Sequence, residues 1–153
     1  MKIVLTYGTF DLFHIGHVRL LERARSLGER LVVGVSSEEF NAIKGKRSIF
    51  PYEQRAAIVR ALACVDDVFP ENNWGQKEAD IHRLRASALV MGNDWAGEFD
   101  NLKEFCEVIY LPRTEGISST ELKATLSAFK GEKLKELQRG LEALRAIISQ
   151  LEA

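Results

Sequence analysis

The sequence has little of what marks many protein classes. Only two cysteines occur, Cys64 and Cys106, each among apolar neighbours. They read as reduced packing residues of a cytoplasmic protein, not as a disulfide framework. No apolar run approaches the ~18 residues of a membrane span. A strand pattern begins directly behind Met1, so neither a membrane anchor nor a signal peptide is expected. Basic charge is not in excess either: a formal net charge of −1 argues against a nucleic-acid partner. The phosphate-binding signatures G-x-x-x-x-G-K-[ST] and G-x-G-x-x-G are missing, which removes the P-loop and dinucleotide readings. No nucleophile–base pair of the acylating kind is visible. What remains is an ordinary globular composition, 46% hydrophobic and 28% charged in 153 residues, enough for a domain with a real core.

The stretch that organises the chain is Gly8-Thr9-Phe10-Asp11-Leu12-Phe13-His14-Ile15-Gly16-His17. Before it, Ile3-Val4-Leu5-Thr6-Tyr7 has the unbroken apolar character of a buried parallel strand. After it, Val18, Leu20, Leu21 and Ala24 alternate with Arg19, Glu22, Arg23 and Arg25 in a helical pattern that closes at Gly28. The spacing therefore predicts a strand-to-helix turn with the helix starting near His14. His14 and His17 are three apart and share one face of its first turn. The helix start offers unpaired N–H groups and the positive end of the dipole, which favour an anion. Gly16 lets a bulky group approach without meeting a Cβ. Phosphate chemistry suits this combination. A zinc site would need a further convergent ligand, for which Asp11 is the only local candidate. The third histidine, His82, falls in a polar helix and is expected to be exposed.

Strand and helix patterns then alternate to the end of the first 128 residues. Leu31–Val35, Val65–Phe69, Leu89–Met91 and Val108–Leu111 read as strands. Helices are expected from Ser36, from Tyr52 to Leu62 with Pro51 at its first position, and from Gln76 to Arg85. The expected fold class is α/β, a Rossmann-like parallel five-stranded sheet flanked by helices. Ligands in such sheets bind at the carboxyl ends of the strands, where GTFDLFHIGH, MGNDW and PRTEGIS all fall. Ser118-Ser119-Thr120-Glu121 matches a capping box opening a helix through Leu126. Beyond Gly131, residues 129–153 read as a second, separate amphipathic helix. Its Leu134, Leu137, Leu141, Leu144, Ile148 and Leu151 are spaced as the a/d seam of a coiled coil.

GTFDLFHIGH, with VVGVSSEEFN, KGK, YEQR, ENNWGQK, VMGNDW and LPRTEGISST, makes the chain resemble the cytidylyltransferases of the H-x-G-H nucleotidyltransferase superfamily. Within them the likeness is to those that use glycerol 3-phosphate. The resemblance runs from Met1 to about Leu126. It implies transfer of CMP from CTP, with Mg²⁺, to glycerol 3-phosphate, giving CDP-glycerol for teichoic acid or capsule polymers. It also implies a homodimer. His14 and His17 would hold the nucleotide's phosphates and stabilise charge at the α-phosphorus; Lys44, Lys46 and Arg113 would join them in the chemistry. The CTP contacts implied are Thr9 and Phe10 through their backbone, Asp11, Lys46, Arg55, Gly92, Asp94, Arg113, Thr114, Ser118 and Ser119. Lys44 and Lys77 would hold the acceptor phosphate. Asp11 is open between a Mg²⁺-related carboxylate and a brace for the turn. Trp74 and Trp95 are open between ligand stacking and packing. The family pattern has arginine where this chain has Ala63, and Arg60, three residues earlier on the same helix face, would be its substitute. Other phosphorylated alcohols or sugars, ATP as donor, or a nucleotide-binding module without turnover are the alternatives.

Overall fold

The computed structural model describes residues 1–113 and 118–152. Its chain divides into two compact units, Met1–Ile117 and Ser118–Ala153, described separately here. In the first, five parallel strands form one sheet: β1 (Ile3–Gly8), β2 (Arg30–Ser36), β3 (Asp67–Glu71), β4 (Ala88–Gly92) and β5 (Glu107–Leu111), in the order β3-β2-β1-β4-β5. The chain steps outward from β1 to β3 and then crosses back to lay β4 on the other side of β1. The strand order thus reverses between β1 and β4, and a crevice opens there at the carboxyl ends.

Alternation along the strands sends successive side chains to opposite faces, and both faces are apolar. Val4, Leu31, Val33, Val35 and Val90 pack on one side with Leu21 and Ala24 of α1 (Ile15–Arg25) and Ala56 and Val59 of α3 (Tyr52–Arg60). Leu5, Tyr7, Val32, Leu89 and Met91 pack on the other with Ile81 of α4 (Gln76–Leu84), with Leu102 of the 3₁₀ turn Asp100–Glu104 and with Phe99 just before it. Gly34 in β2 is required by this packing. A Cβ there would lie 2.4 Å from the Tyr7 ring.

Several local expectations shift. The third strand lies two residues later than its apolar run suggested: Val65 closes a turn on Leu62 through its N–H, while Pro70 is tolerated because β3 is an edge. Pro51 is the extended N-cap of α3, not its first helical residue; the N–H of Tyr52 is taken by the Glu38 carboxylate. Because α3 stops at Arg60, Ala63 lies beyond the helix, and Arg60 does not share a helix face with it. The short α2 (Glu38–Ile43) starts at Ser37, whose hydroxyl accepts from the Phe40 N–H at 3.1 Å.

The second unit is α5 (Ser119–Glu152), 34 residues in one run. Two helices separated near Gly131 were expected, yet the helix continues through both Gly131 and Gly140. A glycine costs only about 1 kcal/mol in a helix interior, whereas proline, which would break it, is absent. Ser118 caps the start, its hydroxyl accepting from the Glu121 N–H at 3.1 Å. Among the described residues Leu134, Leu137, Leu141, Leu144, Ile148 and Leu151 are all exposed.

Candidate active site

The loop between β1 and α1 is held by groups from far along the chain. The Asp11 carboxylate, 2% exposed, accepts from the N–H groups of Ile49 at 2.6 Å and Phe50 at 3.0 Å. Of its two open roles, the structure displays the brace. The Arg55 side chain is fully buried. It donates to the carbonyls of Thr9 (2.8 Å), Ser36 (2.7 Å) and Phe50 (2.9 Å), and to the Glu38 carboxylate (3.3 Å). The guanidinium thereby ties the ends of β1 and β2 to the loop of residues 44–51. Phe10 and Leu12 adopt left-handed backbone, with φ of 52° and 48°, a strain on the order of 1–3 kcal/mol each that surrounding ties must maintain. Phe10 turns its ring back over Gly8, where a Cβ would lie 2.8 Å from it.

His14 is the N-cap of α1, and the two histidines form its capping box. The His14 Nδ1 accepts from the Gly16 N–H at 3.0 Å, and the His17 Nδ1 accepts from the His14 N–H at 3.2 Å. Two of the N–H groups that the sequence suggested were open to an anion are thus taken by the imidazoles. Since each Nδ1 accepts, each neutral ring carries its proton on Nε2. The rings stack with centroids 3.9 Å apart, and Phe13 stacks on His17 at 5.1 Å. Burial lowers the pKa of both. For His17 it falls to about 4, the His14 neighbour adding to the effect and Asp11 opposing it. Near neutral pH both rings are uncharged donors. The His14 Nε2 is buried and has no partner among the described residues, which marks it as a group awaiting a ligand acceptor.

The basic residues divide by burial. Lys46 is exposed, following Gly45, whose φ of 71° turns the loop. Lys44 is half-buried. Its Nζ donates to Ser36 Oγ at 2.8 Å and Thr9 Oγ1 at 3.4 Å, and lies 4.6 Å from the Phe40 ring centroid. Desolvation brings its pKa down to about 8; Glu71 opposes the shift, and Lys46, Lys77 and Arg55 add to it. Lys77, 2% exposed, reaches Glu71 at 2.6 Å and lies 4.5 Å from the Tyr7 ring and 4.9 Å from the Phe99 ring. Beside it a cavity of about 550 Å³ is lined by Trp74, Trp95, Phe99 and Leu102 among others. Trp74 and Trp95 meet edge to face at 5.6 Å, so they pack together while walling the cavity.

At the ends of β4 and β5, Gly92 leaves open space where a Cβ would be. The Asp94 carboxylate accepts from Arg113 Nε at 3.0 Å and Nη2 at 2.7 Å. Thr114 lies outside the described residues. Ser118 and Ser119 open α5 in the second unit. The structure thus gathers Thr9, Phe10, Asp11, His14, His17, Lys44 and Arg55 around the β1 and β2 ends, with Gly92, Asp94 and Arg113 on the β4 and β5 ends. Sequence reasoning missed Ser36, Asn41 and Glu71. Asn41 is 1% exposed; its Oδ1 accepts from the Thr9 hydroxyl at 3.0 Å, and its Nδ2 has no partner among the described residues. A polar residue closing an apolar strand, as Ser36 and Glu71 do, was the available signal.

A parallel sheet with imidazoles at the switch-point helix start and cations from the helices and loops that follow its strands defines a nucleotidyltransferase-type domain. Residues 5–125 match the family described as cytidylyltransferase-like. A glycerol-3-phosphate cytidylyltransferase of Bacillus spizizenii is 54% identical over 128 residues, 84% of this chain and 99% of that protein. Another, from Staphylococcus aureus, is 55% identical over 126 residues, 82% of this chain and 96% of that one. The chain belongs to the cytidylyltransferase-like family, in the branch of the glycerol-3-phosphate cytidylyltransferases. The fold also matches the crystal structure of a lipopolysaccharide core biosynthesis protein from Thermoplasma volcanium. That match has a TM-score of 0.68 and 23% identity, and takes in 75% of this chain and 99% of that one.

Proposed function

We propose that this chain transfers CMP from CTP to sn-glycerol 3-phosphate, releasing pyrophosphate and forming CDP-glycerol. The observation that carries the reading is the 54% identity to a protein of that name, spanning 99% of its length. The geometry supports it: the neutral His14 imidazole holds a buried Nε2–H with no partner among the described residues at the start of α1. The acceptor needs no general base, because the second pKa of a phosphate monoester is about 6 and its oxygen is already anionic at pH 7. That oxygen attacks the α-phosphorus in line. The new P–O bond forms as the bond to the β-phosphate bridging oxygen breaks, and pyrophosphate departs with the electron pair. The work left to the protein is positioning and charge stabilisation. His14 and His17 donate to the phosphates, Lys46 and Arg113 add cationic charge on the nucleotide side, and Lys44 and Lys77 hold the acceptor phosphate.

Mg²⁺ completes this reading as a partner of the triphosphate. Mg²⁺ of this kind is carried mainly by substrate phosphates and water. When bound it neutralises phosphate charge. We further infer a cytoplasmic enzyme feeding teichoic acid or capsule synthesis. A homodimer is part of the same reading, and the heptad spacing of α5 supports a seam between two copies. No helix among the described residues is long and apolar enough to cross a membrane. Mass spectrometry of the product tests the assignment. CTP with glycerol 3-phosphate should give CDP-glycerol and one pyrophosphate per turnover, with CTP preferred over ATP by roughly 10²-fold, the scale on which hydrogen-bonded recognition discriminates. Equal rates with ATP, or no product from folded protein, would remove it.

A further inference from the structure

Ser36 and Glu71 end neighbouring strands and lie opposite one another in the parallel register of β2 and β3. Glu71 is 2% exposed, and both its oxygens are engaged. Oε2 accepts from Lys77 Nζ at 2.6 Å, and Oε1 accepts from Ser36 Oγ at 2.9 Å. The Ser36 oxygen in turn accepts from Lys44 Nζ at 2.8 Å. One carboxylate thus anchors two lysines, one directly and one through a hydroxyl. The lysines come from different elements, Lys44 closing α2 and Lys77 opening α4. Two ammonium groups brought out of water near one carboxylate repel one another. A buried carboxylate that reaches both counters that tendency.

From this arrangement we infer that Glu71, with Ser36 as its relay, is a positioning residue that holds Lys44 and Lys77 as a pair aimed at the acceptor's phosphate group. The inference rests on the proposed function only for what the lysines hold. That they depend on Glu71 follows from the network itself. The charged groups facing Lys44 are Glu71 on β3, Lys77 on α4, Arg55 on α3 and Lys46 in the loop. Glu71 is the carboxylate among them. On the far side of Lys77 stands Tyr7, whose hydroxyl donates to Asp80 at 2.8 Å. With Glu71 uncharged, the three remaining cations act on Lys44 unopposed.

Two variants test it. Glu71→Gln keeps the shape and removes the charge; Ser36→Ala leaves the Lys77–Glu71 pair intact and cuts the relay to Lys44. In the free protein, NMR titration of the lysine side chains should place the Lys44 midpoint about one pH unit lower in Glu71→Gln, the low end of what one opposite charge contributes. With CTP saturating, the KM for glycerol 3-phosphate at pH 8.5 should rise about tenfold in Glu71→Gln, since one pH unit is a tenfold change in charged fraction. The KM for CTP should stay within about twofold of wild type on the same scale. Ser36→Ala should give a smaller rise in acceptor KM, and it decides the matter if Glu71→Gln does not fold. Wild-type titration and wild-type acceptor KM in a folded variant would overturn the inference. So would losses that fall equally on CTP and acceptor. Should the wild-type protein fail to use glycerol 3-phosphate, the proposed function falls. The titration, repeated with inorganic phosphate as the ligand, still reads the network.

Discussion

The strand-end site and helix α5 are built on opposite principles. In the site, order comes from distant residues: Arg55 donates to Thr9 across 46 positions, and Asp11 accepts from Ile49 across 38. Two residues there hold left-handed backbone that local sequence would not choose. In α5 contacts such as Thr125 to the Glu121 carbonyl and Lys133 to Glu136 are local. Helical spacing alone accounts for its form. A region assembled by long-range polar ties fails when one tie is cut, and fails in its chemistry. One assembled by local repetition tolerates local changes and is lost only as a whole.

The sharpest way to break the comparison is at the histidines. Alanine at His14 or His17 should lower kcat by about 10²-fold or more, the scale of losing a donor aimed at developing charge. The fold should survive, because each ring contributes one cap bond to a helix packed by Leu21 and Ala24. Steady-state rates together with a thermal melt check this, and a folded variant with near-wild-type turnover would remove the pair from the chemistry. Arg55 comes next. Arg55→Met would leave three carbonyls without donors, at roughly 1–3 kcal/mol each. Denaturant titration should show a loss of about 3 kcal/mol or more. In thermal midpoint that is roughly 6–12 °C for a domain of this size. A milder loss would mean that water takes the place of the guanidinium.

The smallest effect is expected at the far end. A chain truncated near Phe129 should keep its specific activity while losing association strength or thermal stability. Light scattering over a dilution series measures the first, and a melt the second. An unchanged dimer with unchanged melting would sink the seam. Lost activity in a folded truncation would give the helix a part in the chemistry.

Much of this contrast was legible in the sequence, for physical reasons that differ between regions. The buried parallel strands show as unbroken apolar runs because both faces of the sheet are covered, and the motifs at their carboxyl ends follow from the fold class. Asp11 could be narrowed only to two roles, since its partners at Ile49 and Phe50 lie in a loop with no pattern of its own. Arg55 was a CTP contact only through its place in the YEQR motif; its full burial among converging carbonyls, rare for arginine, shows only in the structure. Glu71 and Ser36 stand inside the motifs ENNWGQK and VVGVSSEEFN, yet their joint use did not show there, because it lies in the pairing of β2 with β3. In α5 the reading failed through trust in a local rule. Gly131 weakens a helix without ending it.

The claim on which the account turns is that His14 and His17 act as neutral donors through Nε2. Nitrogen-15 NMR of the imidazoles, followed from pH 8 to pH 4, tests it most directly. Both rings should show an unprotonated Nδ1 and a protonated Nε2 at neutral pH. His17 should gain its second proton only near pH 4, with His14 also titrating below the ordinary histidine range. Turnover should then show no histidine step near pH 6.5. Stability should fall as the pH drops from about 6.5 towards 4, because the unfolded chain takes up protons that the folded rings refuse. Rings protonated on Nδ1, or charged at pH 7, would contradict the account.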